Sequence, residues 1–594
     1  MGYELDPSQQ IVPATDENPP APDESSTVGL GENTDRSDLF LYAIVTAYIL
    51  WGCAFIYRSS FIDAGVRYFS LLDDEMISMR YARNLAHGFG LVYNPGGDRV
   101  EGFTNLAWVL YMALLHLLPV SPPKMSLLVQ LSGLAFLALN LVVVARLGEL
   151  VSGGSRRVGL AAAFLSAFYV AIANWGLQGS EVCVLTLLMT SIALMAIRCV
   201  QSQTSPIPLY LLMGFATLFR IDAFVPALVV LGMLAIVDER RRWQHVLVGF
   251  LVLAIFVGSQ IAFNQYYYGY PFPNTYYLKM TGFPLIPRLT RGVIATLRFL
   301  FEMNPLLPTL AVVLILLRRD WRLLLLGLIF GGTLLYNIWV GADFVDGAGG
   351  SNRFIAIVMP LFFVLLSYAL DACASSIART FPNFVLTKKF HAGGIFFLLT
   401  LIALITADLP VRNEPEGGGF TFNALGSLPC ASLLLLIVPT DVGFNRFRVQ
   451  SSREIEQITD PDARIMVPGA GVIPYFTDRF SIEVLGKTDR VIAHENAKRM
   501  WPDEPDWQSF LPGHFKWDYA YAIGEKKPDL VVDLLVWDEA SAQPYLHDYT
   551  RYINYYIKNG STHVHIPSGP VSIDPLDVKF AAAIKWQREH GLKH

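Results

Sequence analysis

The stretch LLDDEMISMRYARNLAHGFGLVYNPGGDRVEGFTN, residues Leu71 to Asn105, sets two adjacent carboxylates, Asp73 and Asp74, among arginines, glycines and aromatics. It begins a dozen or so residues after the charge-free run Leu39 to Tyr57. A run of that length is enough for roughly one bilayer crossing, so an ionisable segment is placed beside a membrane surface. Its pattern predicts a helix that Asp73 or Asp74 can cap and that Gly88 can end after His87. On that helix Asp73, Ile77, Arg80 and Asn84 share one face, with Asp74, Ser78 and Tyr81 beside them. Capping uses only one carboxylate. A pair can also do chemistry: one member takes a proton from an attacking hydroxyl, while the other orients it, raises its pKa or holds a divalent cation such as Mg, Mn or Ca.

The surroundings fit a membrane setting. Of the 594 residues, 53% are hydrophobic and 16% charged, whereas a soluble chain carries about 25% charged residues. Mean hydropathy is +0.41. The composition therefore predicts an α-helical polytopic membrane protein. A net charge of −5 offers no broad cationic surface for nucleic acid. The five cysteines, Cys53, Cys183, Cys199, Cys373 and Cys430, form no CxxC and suggest neither a disulfide framework nor a zinc site.

Apolar segments near 39–57, 126–145, 158–175, 182–197, 208–219, 223–237, 246–263, 305–317, 323–340, 354–370 and 392–407 give about eleven expected crossings. Residues 105–118 are too short to span and are expected to lie at the interface. Short basic connectors, at Arg146 with Arg156 and Arg157, at Arg198, at 239–242, at 318–322 and at Arg379 with Lys388 and Lys389, recur at alternate turns, as cytoplasmic loops do. The expected organisation is a disordered cytoplasmic tail over 1–37, a transmembrane catalytic domain over 38–407 with a first outer loop at 58–104, and an extracytoplasmic α/β domain over 408–594. That last domain is read from ARIMVPGAGVIPYF, SIEVLGKTDRVIAHE and KKPDLVVDLLVWDE, which look like short buried strands broken by Gly, Pro and Asp.

Other outward loops carry cations. LFRIDAF supplies Arg220 and Asp222, YYYGYPFPNTYYLKMTG supplies Lys279, and VGADFVDGAGGSNRF supplies Asp343 and Arg353. Arginine forks a phosphate bidentately and lysine adds a point charge. One arginine at a membrane end can be a mere anchor; three cationic loops on the face that bears Asp73 suggest a shared site. Tyr266, Tyr267, Tyr268, Tyr276 and Tyr277 suit an interfacial belt or sugar stacking. Glu181 is either a helix N-terminal carboxylate or a site residue.

The motif DDEMISMRYARNLAHGFGLVYNPGGDRVEGFTNLAW resembles the first outer loop of the GT-C superfamily of polyprenyl-phosphate-dependent membrane glycosyltransferases. It is nearest the mycobacterial terminal arabinofuranosyltransferases of the B type, and more distantly similar to the lipid A aminoarabinose transferases. The likeness continues through GLQGSE, FRIDA, YYGYPFPNTYYLK, VGADF with NRF, and GAGVIPYFTDRFSIEVLGKTDRVIA, over most of residues 70–495. Two departures stand out: extra residues separate Asp343 from Arg353, and Ile221 and Asp222 replace the usual proline and glutamate.

The resemblance implies a GT-C enzyme of the bacterial inner membrane with an outward-facing site. It would move a sugar, arabinofuranose among the candidates, from a polyprenyl-phosphate donor to a cell-envelope glycan or lipid acceptor, with inversion. It further implies Asp73 as base with Asp74 as partner, Arg80, Arg220, Lys279 and Arg353 on the donor phosphate, and Tyr81, Glu101, Glu181, Asn274 and Asp343 on substrate. A divalent cation on Asp73 and Asp74 stays open. The main rival is a transporter or flippase of lipid-linked sugars, which would bury ionisable residues mid-span; a non-catalytic scaffold would leave the clustered charges without a purpose.

Overall fold

A computed structural model describes residues 28–343, 351–382, 392–407, 432–439, 441–499 and 505–566, with side chains from Asp38 onward. The first 27 residues of the expected tail, the glycine-rich turn at 347–350 and Cys430 lie outside the described residues.

In lipid every backbone polar group must be satisfied within the chain, which makes apolar runs helical. Six helices are long and apolar enough to cross a bilayer unaided: Asp38–Arg58, Pro122–Val151, Val182–Ser202, Gln244–Tyr268, Trp321–Val340 and Met359–Thr380. The first extends back to Val28, into the stretch expected as tail. Two bent pairs can add one span each: Arg156–Phe168 with Val170–Leu177, bent by 56°, and Leu285–Glu302 with Leu306–Arg318, bent by 92°.

Shorter apolar helices occupy Leu106–His116, Ile207–Phe219, Ile221–Val237 and Ala392–Ala407. Every expected apolar segment is therefore helical, but the expected eleven crossings reduce to six, or eight with both pairs, among the described residues. Length is the reason. Thirteen residues reach only about 20 Å at 1.5 Å each, against a core of about 30 Å.

The 92° bend falls at Asn304, whose φ is +70°, and Pro305; a left-handed residue followed by proline cannot carry a helix onward. The preceding helix, expected as part of a loop, buries Arg288, Gly292, Thr296 and Phe299 and turns Ile286, Leu297 and Phe301 outward. An apolar outer face of that kind suits a helix lying along a bilayer surface.

At one end of the bundle a hairpin pairs β1 (Phe61–Asp63) with β2 (Val66–Tyr68). The acidic helix follows at Asp73–Ala86, and Gly88 ends it at φ +85° after His87, as its sequence predicts. The expected cap is different. Leu72 occupies that position with no side-chain hydrogen bond, and Asp73, Asp74 and Glu75 fill the first turn, where the helix dipole favours negative charge.

Residues 441–566 form the C-terminal domain around β3 (Arg464–Val467), β4 (Phe480–Glu483), β5 (Leu530–Val531), β6 (Tyr549–Tyr552) and β7 (Tyr555–Lys558). The strand order is β4-β3-β5-β7-β6. The first three are parallel, with Met466 opposite Ile482 and Val531; β7 is antiparallel to β5 and β6. Successive side chains leave a strand on opposite faces, so Ile465 and Val467 join one core with Ile455 and Leu530, while Met466 joins another with Ile482 and Trp517.

This domain is docked firmly on the first outer loop. Arg80 is wholly buried, and its guanidinium donates to the carbonyls of Tyr93 (2.7 Å), Pro474 and Arg479 (2.8 Å) and to Asn94 Oδ1 (2.9 Å). The amide of Asn94 donates to Ser481 O and its carbonyl accepts from Ser481 N. Arg83 pairs with Asp478, and Arg453 with Asp63 at 2.6 Å. Arg80 was expected against the donor phosphate. Its donors are instead engaged in joining the two parts of the chain.

Candidate active site

The three cationic loops converge on one ring. Arg220, Lys279 and Arg353 lie 4.7, 5.4 and 6.0 Å from the centre of Phe354, within reach of cation–π attraction. Arg220 leaves the end of Ile207–Phe219, Lys279 the short helix Asn274–Met280, and Arg353 opens the turn Arg353–Ala356.

Carboxylates interleave with them. Arg220 pairs with Glu181 (3.1 Å) and Asp222 (2.7 Å). Glu181 also accepts from Asn105 at 2.9 Å. Arg353 Nε holds Asp343 at 2.7 Å, whereas Lys279 Nζ stands 3.5 Å from Asp343 and Arg353 Nη1 stands 3.7 Å from Asp74. Those last two contacts exceed hydrogen-bonding distance. Lys279 is thus loosely held, whereas Arg353 is loose at Nη1 alone, since its Nη2 also donates to Asp343 Oδ1 at 3.2 Å.

The two aspartates face different partners. Asp74 meets Lys487 Nζ at 2.5 Å on Oδ1 and the Arg353 guanidinium on Oδ2. Asp73 Oδ1 meets Arg448 Nη1 at 2.9 Å and accepts the Val472 amide proton at 2.9 Å. Its Oδ2 makes no hydrogen bond among the described residues. The loop after β3 closes over this carboxylate. A Cβ at Gly471 would sit 1.8 Å from the Asp73 carbonyl oxygen, so only glycine fits there.

Burial raises the Asp74 carboxyl, but Lys487 and Arg353 outweigh it and hold the group well below the usual carboxylate range. Burial pushes the Lys279 ammonium down to about 8; Asp343 opposes the shift, and Arg353 and Arg220 add to it. Glu75 lies fully buried beside the cluster and is pushed up to about 8, by burial first and then by Asp74 and Glu181 against Arg353. The shift favours its neutral acid form, and its Oε2 has no hydrogen-bond partner among the described residues.

Asp74, Glu181, Arg220, Lys279, Asp343 and Arg353 thus stand together, while the neighbouring Asp73 faces Arg448 and Val472 of the C-terminal domain. Four other candidates do not. Arg80 is a structural tie. Tyr81 is wholly buried, donating to Val100 O and accepting from Gly102 N. Asn274 donates to Gly486 O and Asp489 O. Glu101 is buried, with its pKa raised to about 8 by burial while Asn264 opposes. These three hold loops rather than line the cluster. Sequence reasoning passed over Arg448, Lys487, Glu75 and Phe354. Lys487 and Phe354 sit inside motifs quoted above, but a motif does not say which of its residues face inward.

Beside Phe354 a gap about large enough for one water is lined by Asp222, Val225, Pro226, Thr333, Tyr336 and Ile357. It joins the charged cluster to apolar side chains of Phe224–Val237 and Trp321–Val340. Among the described residues no group of three or more His, Cys, Asp or Glu side chains is arranged to hold a metal ion. Each aspartate of the pair faces a cationic side chain, Asp73 that of Arg448 and Asp74 that of Lys487.

The bundle and its sheet domain make this a polytopic helical membrane protein with a C-terminal α/β domain. The crystal structure of ArnT from Cupriavidus metallidurans bound to undecaprenyl phosphate aligns over 90% of this chain and 100% of its own, at 11% identity and a TM-score of 0.50. The archaeal oligosaccharyltransferase AglB from Archaeoglobus fulgidus, in complex with an inhibitory peptide and a dolichol-phosphate, aligns over 88% of this chain and 74% of its own, at 11% identity and a TM-score of 0.48. At such identities the likeness is one of fold. Residues 442–568 match a family described as Domain of unknown function (DUF8728). No curated protein matches the chain in sequence.

Proposed function

We propose that this chain is a membrane glycosyltransferase that takes a sugar from a polyprenyl-phosphate donor and passes it, with inversion, to a cell-envelope glycan or lipid on the outer face of the bacterial inner membrane. Arabinofuranose is the sugar favoured by the sequence resemblance. The observation that carries the reading is the convergence of Arg220, Lys279 and Arg353 on Phe354, with Lys279 Nζ 3.5 Å from Asp343 and Arg353 Nη1 3.7 Å from Asp74 of the acidic pair. The ArnT structure of the same fold holds a polyprenyl phosphate, which supports the choice of donor.

In this reading the polyprenyl chain lies in lipid against the bundle, beside helices Phe224–Val237 and Trp321–Val340. Its phosphate displaces the long carboxylate contacts on Lys279 and Arg353. The acceptor oxygen attacks the anomeric carbon from the face opposite the phosphate and loses its proton to Asp73 Oδ2. The sugar–phosphate C–O bond breaks and its electron pair leaves with the polyprenyl phosphate, which the cations stabilise as charge develops. Asp74, held ionised, anchors the cations and is too weak a base for the proton.

The test is transfer of label from a radiolabelled polyprenyl-phosphate sugar to an acceptor by the purified protein in detergent. Label that crosses vesicle membranes still attached to its lipid would instead identify a transporter. A pH series adds detail. Above pH about 8 Lys279 loses its proton and its charge, so donor affinity is expected to fall as pH rises through that value. One charged hydrogen bond is worth about 1.5–3 kcal/mol, or roughly 10- to 100-fold in donor KM. A K279R variant keeps its charge and should lose that alkaline limb; a limb that persists unchanged would remove Lys279 from the donor site.

A further inference from the structure

Both cations that engage the acidic pair most closely, Arg448 and Lys487, come from the C-terminal domain rather than from the bundle. Arg448 lies on helix Val442–Ile458, and Lys487 lies in the turn after β4. That turn is built with care. Glu483, at the end of β4, accepts from Leu485 N and Thr488 N at 3.0 and 3.1 Å, and Asn274 of the bundle side grips Gly486 O at 2.9 Å. Gly471 and the Val472 amide follow β3 in the same way. Both loops therefore leave the carboxyl edge of the parallel part of the sheet, the edge where open α/β sheets place their ligand crevices.

The two ion pairs do different things. With Oδ1 of Asp73 fixed by Arg448 and Val472, only Oδ2 is open to a hydroxyl. With Oδ1 of Asp74 taken by Lys487 at 2.5 Å, the hold of Asp74 on Arg353 Nη1 stays at 3.7 Å, and that nitrogen stays available to an anion while Asp343 keeps Nε and Nη2. We infer that the C-terminal domain is a working half of the site, in which Arg448 positions Asp73 for proton transfer and Lys487 occupies Asp74 so that Arg353 can bind the donor phosphate. This rests on the glycosyl-transfer reading.

The test compares R448Q and K487Q with their conservative partners R448K and K487R, in the full-length protein. A control, the double variant D63N/R453Q, removes an ion pair of 2.6 Å elsewhere on the same domain boundary without stranding a charge. R448Q is expected to lower kcat about 100-fold, part of what a positioned base supplies, with donor KM little changed. K487Q should raise donor KM about tenfold with kcat near wild type. R448K and K487R should each recover part of the loss. The control should alter melting temperature alone.

If R448Q and K487Q behave as the control does, or if the conservative variants restore melting but not kinetics, the domain is a docking element and the inference falls while the transfer reading stands. A folded wild-type protein that moves no sugar overturns that reading and the inference with it.

Discussion

An Asp73→Asn chain is expected to fold and insert normally and to transfer sugar about 10²- to 10⁴-fold more slowly than wild type, the span that general-base catalysis covers. Asparagine keeps an Oδ1 that can accept the Val472 amide proton at its 2.9 Å position, so the docking of the C-terminal domain survives. What it loses is the carboxylate that receives the acceptor proton. Single-turnover rates with saturating donor would measure this, with melting temperature as the check on folding. A folded D73N protein with an undiminished rate would move the base elsewhere. Asp74 is a poor substitute, since Lys487 and Arg353 hold it well below the usual carboxylate range against the pull of burial. D74N should act through donor binding instead.

The second large effect is one of stability. Arg80→Met would remove four hydrogen bonds from a buried guanidinium, to the carbonyls of Tyr93, Pro474 and Arg479 and to the side-chain oxygen of Asn94, although each acceptor keeps one other donor: Asn84 Nδ2, Asp478 N, Ser481 Oγ and Ser481 N in turn. A hydrogen bond to a charged group is worth about 1.5–3 kcal/mol. Losing several at one boundary is a large share of the about 5–15 kcal/mol that holds a domain folded. The expected result is early proteolytic release of the C-terminal domain and a markedly lower melting temperature. An R80M protein of normal stability whose donor KM has risen would return Arg80 to the phosphate.

The contrast between Arg80 and Arg353 shows how far the amino-acid sequence can be read. Both are arginines in polar motifs beside apolar segments, and nothing in their neighbours along the chain separates them. The difference lies in what each guanidinium meets: backbone carbonyls contributed from almost 400 residues away for Arg80, and one close and one distant carboxylate, Asp343 and Asp74, for Arg353. Local signals did better. The helix over Asp73–Ala86, its glycine stop, the helical character of each apolar segment and the parallel strands after residue 460 all follow from periodicity and turn residues close at hand. The span count came out high because hydropathy marks an apolar helix without fixing whether it continues, bends or stops short. Arg448 and Lys487 were passed over for the same reason that Arg80 was misplaced. Their roles depend on which surface of one domain meets which loop of another, and no periodicity encodes that.

The distance along the chain between Asp74 and Lys487 is 413 residues. At synthesis rates of about 5–20 residues per second, the acidic helix would wait roughly 20–80 seconds before Lys487 is made. Over most of that interval the acidic pair would lack both Arg448 and Lys487. A chain interrupted before residue 448 would carry the cationic loops and the acidic helix without the two groups that hold the pair in place.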